Sequence, residues 1–522
     1  GCPRRRERLA CGQGEKGRVL SDGDIAAGET ATLASASLPT PAPAAAQDAR
    51  AGVCDVPISP LSLDRFEAVL PAEEWKRVLE HAARARRLLE GRVVWNVNST
   101  ASGGGVAEML RSLIGYGRGL GVDTRWVTIK GDPGFFEVTK RVHNRLHGSP
   151  GDGGPLGRKE QEAYEAPLAR CAGALQELVR ADDIVILHDP QTAGLIAPLR
   201  ETGARIAWRS HIGYDAPNEF ALEACRFLLP YVRGADACIF SRANYAWSGI
   251  DAERLTFIHP SIDAFSVKNE DLDEASVLSI LAATGILDGG EGPVSFPRAD
   301  GTPGRVQRKA EILEESRLTP ATPVVLQVSR WDRLKDPLGV IDGFAGRAVD
   351  ALGAHLVLAG PATGAVADDP ESPEVLAEAR ERWSRLHPRV RERVHLISLP
   401  MDDAEENAAI VNALQRHATV VVQKSIAEGF GLTVAEAMWK ARPIVASRVG
   451  GIQDQIVHGV SGLLVDDPRD LRAFGENLTM LLGGPELATR IGAEAHRRAR
   501  DEYLGPAHLM QYLALFERLL GA

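Results

Sequence analysis

Short apolar runs recur along the chain, separated by longer stretches in which apolar positions return every three or four residues. The early runs are Val93-Val94-Trp95-Asn96-Val97, 124–129, Ile184-Val185-Ile186-Leu187, Ile206-Ala207-Trp208-Arg209, Ala237-Cys238-Ile239-Phe240 and Leu255-Thr256-Phe257-Ile258. Runs of this kind, alternating with helix-period segments, predict a parallel sheet with helices between its strands. The first helix is expected to open at Pro71-Ala72-Glu73-Glu74-Trp75 and to end near Glu90. Proline suits that start, because the first helical N–H has no partner to lose. A second helix is expected after Gly105, with Val106, Met109, Leu110, Leu113 and Ile114 on one face.

The alternation stops over 264–305, where an acidic stretch leads into the Gly- and Pro-rich segment 289–304. It restarts at Val324-Val325-Leu326-Gln327-Val328 and continues through His355-Leu356-Val357-Leu358, Val394-His395-Leu396-Ile397, Val420-Val421-Val422-Gln423 and Ile444-Val445-Ala446. The expected organisation is an unstructured leader over 1–52 and a Rossmann-like unit over 53–305 that includes linker and insertion. A second Rossmann-like unit over 306–505 follows, and a last helix over 506–522 crosses back to the first. A chain of 522 residues is too long for one core, which agrees with two units.

Composition narrows the class. With 44% hydrophobic and 25% charged residues the chain is ordinary globular material, and no apolar run approaches the length of a membrane span. Sixty basic against 70 acidic residues leave a net charge of −10, which argues against nucleic acid as a partner. Six cysteines, at 2, 11, 54, 171, 225 and 238, form neither a CxxC pair nor a metal-ligand spacing. Arg4, Arg5, Arg6 and Arg8 are followed by no apolar segment, so no signal peptide is expected and a reducing cytoplasm is the default compartment.

Ligands of open α/β sheets bind at the carboxyl ends of strands, so polar residues just after the apolar runs are the candidates for chemistry. Asn98-Ser99-Thr100-Ala101-Ser102-Gly103-Gly104-Gly105 lies between a strand and a helix, where glycines admit a ligand and helix N–H groups face an anion. It fails the GxGxxG fingerprint because Glu108 stands where the third glycine belongs, which disfavours a nicotinamide enzyme. Ser329-Arg330-Trp331-Asp332-Arg333-Leu334-Lys335-Asp336-Pro337 offers a guanidinium fork and, five residues on, an ammonium, enough to hold a diphosphate without a metal. Glu428-Gly429-Phe430-Gly431-Leu432 precedes a helix carrying Glu436, and two carboxylates so placed can accept from sugar or ribose hydroxyls. Each cluster has a plainer alternative: a tight turn, a solvated charged loop, and a capping plus a surface glutamate. His188, Asp189 and His211 also follow strands, and a satisfied loop histidine is an equal alternative for His211.

Glu428 and Glu436, with seven residues between them, match the E-x7-E motif of retaining glycosyltransferases of family 4. The resemblance extends to Arg330 and Lys335, to Val449-Gly450-Gly451, and to Gly459-x-x-Gly462-Leu463-Leu464-Val465. Asn98-Ser99-Thr100-x-x-Gly103-Gly104-Gly105-Val106-Ala107-Glu108-Met109-Leu110, His188-Asp189-Pro190-Gln191, Gln327-Val328-Ser329-Arg330-Trp331-Asp332-x-x-Lys335-Asp336-Pro337 and Gln423-Lys424-Ser425 resemble nucleotide-sugar-dependent trehalose synthases and the related retaining trehalose phosphorylases. The resemblance covers about residues 55–515; 1–52 and 289–304 match nothing in it.

It implies a GT-B fold, two Rossmann-like domains facing each other across a cleft, and catalysis without a metal; Asp271-Leu272-Asp273 makes no convincing DxD. Arg330 and Lys335 would neutralise the departing diphosphate or phosphate, approached from the other domain by Gly103, Gly104 and Gly105. Glu428 would hold the donor glucose and Glu436 the ribose, with Asp332, Gly429, Phe430, Gly431 and Leu432 around them. His211 would contact the donor sugar or leaving group, and His188 and Asp189 would face the acceptor glucose or shape the cleft. Gly450 and Gly451 would form a tight turn or touch the donor through their backbone. The implied reaction is glucose transfer from a nucleoside diphosphate glucose to glucose, giving α,α-trehalose. Phosphorolysis of trehalose, another family-4 acceptor, or a non-catalytic sugar-binding role are the alternatives. Small sugars are the expected partners, with no membrane and with a homodimer left open.

Overall fold

The computed structural model describes residues 52–101, 104–289, 294–348, 353–363 and 371–522. Its first sheet has seven strands: β1 (Val53–Asp55), β2 (Val93–Asn98), β3 (Asp123–Ile129), β4 (Ile184–His188), β5 (Arg205–Ser210), β6 (Ala237–Phe240) and β7 (Leu255–Phe257). Their order is β1-β3-β2-β4-β5-β6-β7, with β1 antiparallel to β3 and every other pair parallel. Every residue of β2, β4 and β6 is buried, as a sheet covered by helices on both faces requires.

Beyond a small hairpin of β8 (Ser295–Pro297) and β9 (Pro303–Arg305), a second seven-stranded sheet comprises β10 (Glu311–Leu313), β11 (Val324–Val328), β12 (His355–Pro361), β13 (Val394–Leu399), β14 (Val420–Gln423), β15 (Ile444–Ser447) and β16 (Leu463–Val465). Its order is β10-β13-β12-β11-β14-β15-β16, with only β10 antiparallel. The eleven expected strands are all present. The expected helix at Pro71 begins one residue later, at Ala72, with Pro71 as its cap.

The segment 264–305 was expected as linker and insertion of the first unit. The helix Glu274–Ala283 buries Val277, Ile280 and Leu281, and the hairpin buries Phe296, in the core of the second sheet alongside Leu326, Ala409 and Val421. By packing, the boundary falls near 263 rather than 305. Asp273 caps that helix, accepting the Ser276 N–H at 2.7 Å, and Asp271 pairs with Arg416 at 2.8 Å.

The chain passes between the sheets twice, and the two crossings touch: Ile262 pairs with Leu504, and the Ile262 N–H donates to the Tyr503 carbonyl at 2.9 Å. After the second crossing, the helix Gly505–Leu520 lays Tyr512, Leu515 and Phe516 against Val78, Ala82 and Tyr116 of the first unit. The four described cysteines are free thiols, and no described helix is long and apolar enough to cross a membrane.

Candidate active site

Strand order fixes where a ligand can sit. In the first sheet the chain runs outward from β2 through β3 and then reverses at β4, so the crevice lies between the loops after β2 and β4. In the second sheet the reversal falls between β11 and β14, whose following loops carry Ser329 to Lys335 and Lys424 to Glu428. A cavity of about 320 Å³ joins the two crevices. Gly105, Val106, Met109 and His211 line it from the first sheet, and Arg330, Lys335, Glu428, Phe430, Gly431 and Leu432 from the second.

Its charged wall is built on a held loop. Lys335 Nζ donates to Glu428 Oε2 at 2.5 Å, and Ser425 Oγ donates to the same oxygen at 3.1 Å. Glu428 Oε1 receives no hydrogen bond among the described residues, and Lys335 has two further N–H donors to offer. Gln327, at the end of β11, donates from Nε2 to the Lys335 carbonyl at 2.9 Å, and its Oε1 accepts the Lys424 N–H at 3.3 Å. The strand thus positions both loops. Lys424, fully buried, pairs with Asp336, whose left-handed backbone (φ 48°) turns the chain into the next helix. Asp332 does not line the cavity. It caps the turn after it through the Leu334 N–H (2.7 Å) and accepts from Arg330 Nη2 at 2.8 Å, aiming a guanidinium that is 58% exposed.

On the facing side, His211 rests on a second imidazole. His188 Nδ1 lies 3.1 Å from His211 Nε2 with the rings stacked at 5.4 Å, and His188 Nε2 meets Asn96 Oδ1 at 3.1 Å. Asp189 accepts the His211 N–H at 2.8 Å. Of the two expected roles, facing an acceptor or shaping the cleft, His188 has the second: it is buried behind His211, and together with Asp189 it supports that residue. Asp189 holds φ 65° and ψ 177°, a region glycine alone adopts freely, at a cost of about 1–3 kcal/mol. Burial pushes the Asp189 carboxyl up to about 7 and His188 down to about 3.

Of the glycine loop, Gly103 lies outside the described residues. Gly104 adopts φ 79°, and Gly105 sits so close to Leu432 that a Cβ there would meet its Cδ1 at 2.5 Å. Gly431 takes φ 86° as the cap of the helix Leu432–Trp439, while Gly429 accepts the Gly451 N–H at 2.9 Å. Glu436 departs from its expected place. It is buried on that helix, 3.6 Å from Lys268 Nζ, and accepts from Gln415 Nε2 at 3.3 Å; it is not on the cavity wall.

Several residues the sequence reading passed over stand here. Lys268 also bonds Glu108 at 2.9 Å, bridging a helix of the first unit to Glu436. His143 and His147 are held neutral, pushed to about 3 and about 4, first by burial; Arg330 adds to this at both, and Lys335 at His147. Arg242 and Tyr245, after β6, reach across to the second domain. Arg242 stands just past a strand, a signal that could have found it. A larger groove, about 740 Å³ and rich in arginine, lies at the opposite end of the first sheet. Arg86, Arg92 and Arg180 there donate to the carbonyls of Leu120, Leu88 and Gly91, closing helix ends rather than waiting for a ligand.

Comparison with known proteins finds the relatives of this chain among glycosyltransferases. Residues 96–247 match the family described as trehalose synthase, N-terminal domain, and residues 309–498 match glycosyl transferases group 1. A trehalose synthase of Rubrobacter xylanophilus is 35% identical over 468 residues, covering 88% of this chain and 97% of the relative. A trehalose phosphorylase of Grifola frondosa is 26% identical over 473 residues, covering 87% of this chain and 60% of the relative. The fold is that of an α,α-trehalose-phosphate synthase (UDP-forming) from Burkholderia xenovorans, with a TM-score of 0.59 at 16% identity over 82% of this chain and all of the other (100%).

Proposed function

The chain belongs to the trehalose synthase family of GT-B glycosyltransferases, and from that premise we propose that it moves glucose from a nucleoside diphosphate glucose to free glucose, forming α,α-trehalose. The observation that carries the reading is the convergence of Arg330, Lys335 and Glu428 on one cavity whose opposite wall is Gly105 and His211. Arg330 and the two remaining N–H groups of Lys335 neutralise the diphosphate as the C1–O bond to it breaks, with no metal required. Glu428 holds a donor hydroxyl through its open Oε1. The acceptor hydroxyl adds to C1 on the same face, and its proton passes to the departing phosphate oxygen, which retains the anomeric configuration. Small sugars and the nucleotide sugar are the only partners this reading needs.

One observation favours a second reading, phosphorolysis of trehalose: Glu436, the carboxylate assigned to a ribose, is buried in an ion pair with Lys268 and is not among the residues that line the cavity. One experiment separates the two. The protein is incubated with glucose and UDP-, ADP- or GDP-glucose, and separately with trehalose and phosphate. Trehalose and free nucleotide are expected in the first arm with at least one donor. Silence there with glucose 1-phosphate in the second arm replaces the first reading by the second, and silence in both removes trehalose chemistry altogether.

A further inference from the structure

We infer that Asp215, Arg242 and Tyr245 are positioning residues: a polar latch through which the first domain sets the backbone around Glu428, so that the sugar-holding loop is aligned only when the cleft is shut. The inference rests on the reading that Glu428 meets the donor. Tyr245, 2% exposed, directs its hydroxyl between the carbonyls of Glu428 (3.0 Å) and Gly429 (2.9 Å). Its ring is fixed from behind, since a Cβ on Gly213 would lie 2.1 Å from it, and Arg242 lies over its face at 5.5 Å.

Gly450 is gripped at both ends of its residue. Its N–H donates to Asp215 Oδ2 at 2.8 Å, and its carbonyl accepts from Arg242 Nη1 at 2.7 Å. Arg242 pairs with Asp215 and lies 2.9 Å from Asp454, while Gln453 donates to Asp215 at 3.0 Å. The grip draws the two loops into contact. A Cβ at Gly450, whose φ is 50°, would fall 1.8 Å from the Glu428 carbonyl oxygen. Of the two roles expected for Gly450, a tight turn or backbone contact with the donor, the turn remains, because its N–H and carbonyl are taken up by the other domain.

The chemistry of the latch is what gives it a role beyond glue. An apolar contact of this size would resist parting more strongly, because parting it exposes hydrocarbon to water. Carboxylate, guanidinium, phenol and peptide groups are rehydrated on opening, so the contact can break and re-form with each turnover. Alignment of Glu428 then belongs to the closed state, and loss of the latch acts on kcat more than on donor binding.

The test uses the full chain with Tyr245→Phe, which removes one hydrogen bond and keeps the packing, and with Arg242→Lys. Hydrogen exchange at 428–431 and 450–455, measured without substrate, reads the latch independently of any activity. Faster exchange there is expected in both variants, with the melting temperature nearly unchanged for Tyr245→Phe. In whichever assay shows turnover, kcat is expected to fall about 5–10-fold for Tyr245→Phe, with KM for the donor within about two-fold. Unchanged exchange overturns the latch, and so does a kcat equal to that of the parent. A loss that moves KM in proportion or follows a fall in melting temperature also overturns it, by showing a merely structural contact. If no donor is turned over at all, the exchange result still decides whether the latch exists, and the failure is that of the functional reading.

Discussion

Replacing Arg330 by alanine is expected to lower turnover about 10²–10³-fold while the protein melts where the parent does. The two halves of this expectation come from one observation. The Arg330 side chain is 58% exposed and projects into the cavity from a loop whose shape is kept by others, namely Asp332 capping Leu334 and Gln327 bonding Lys335. Surface replacements of that kind change stability by about 0.5 kcal/mol or less. On the proposed function its contribution to catalysis is of another size, because a guanidinium facing a diphosphate meets more charge in the transition state than in the ground state. Arg330→Lys should fall between, since a point charge replaces a fork that fits two phosphate oxygens. Lys335 makes an instructive contrast. It is 16% exposed and neutralises Glu428, so Lys335→Ala should cost stability as well as turnover, by leaving a carboxylate that is 12% exposed with Ser425 alone. Steady-state kinetics beside a thermal melt checks both. Arg330→Ala with near-parental kcat removes Arg330 from the reaction, and a collapse of its melting temperature would mean that the residue is structural.

The difference between Arg330 and Glu436 marks what could be read from sequence. Arg330, Lys335 and Glu428 lie just after apolar runs, and the carboxyl ends of parallel strands are where any α/β sheet binds its ligand; position along the chain was enough. Glu436 has the right spacing, but its surroundings are set by Lys268, 168 positions earlier in a stretch read as linker, and no local pattern reports a pair so distant. The same stretch hid the domain boundary. Val277, Ile280 and Leu281 form one helix of only ten residues beside a Gly- and Pro-rich segment, and only the second sheet explains why they are apolar. Strands β1 and β10 escaped for a related reason: each is three residues long and antiparallel at a sheet edge, too short to show a period. The support of His211 by His188 was out of reach too, since adjacency of β4 and β5 is a fact of topology rather than of spacing.

That support makes stability pH-dependent, and folding is expected to weaken by roughly 1.4 kcal/mol or more for each pH unit below about 6.5. Two histidines, His188 and His508, are buried in forms that leave no room for a second proton. Arg209, fully buried, donates to His508 Nε2 at 3.2 Å, so that nitrogen keeps its lone pair and the proton on Nδ1 goes to Ser261 at 2.7 Å. His188 gives its Nε2 hydrogen to Asn96 and accepts at Nδ1 from His211, so its ring is neutral. Burial, reinforced by the charge of Arg209, pushes His188 to about 3 and holds His211 and His508 well below the usual 6.5. The unfolded chain takes up a proton at His188 and His508 as pH falls through 6.5 and the folded chain does not, so each removes about 1.4 kcal/mol per unit. Asp189 works the other way. Its carboxyl is raised to about 7 by burial, so below that pH the folded state holds a proton that the unfolded chain lacks until about 3.8, and one histidine is offset. One proton equivalent remains in full, and His143, His147 and His211 add to it with less weight because they are partly exposed. Calorimetric melts between pH 7.5 and 5 should show a steep fall. The fall should be markedly shallower in His508→Gln, whose amide oxygen still accepts from Arg209 but cannot titrate. A flat profile, or an unchanged slope in that variant, would mean that these rings are protonated in the folded protein and that the hydrogen-bond pattern from Arg209 to His211 is assigned wrongly.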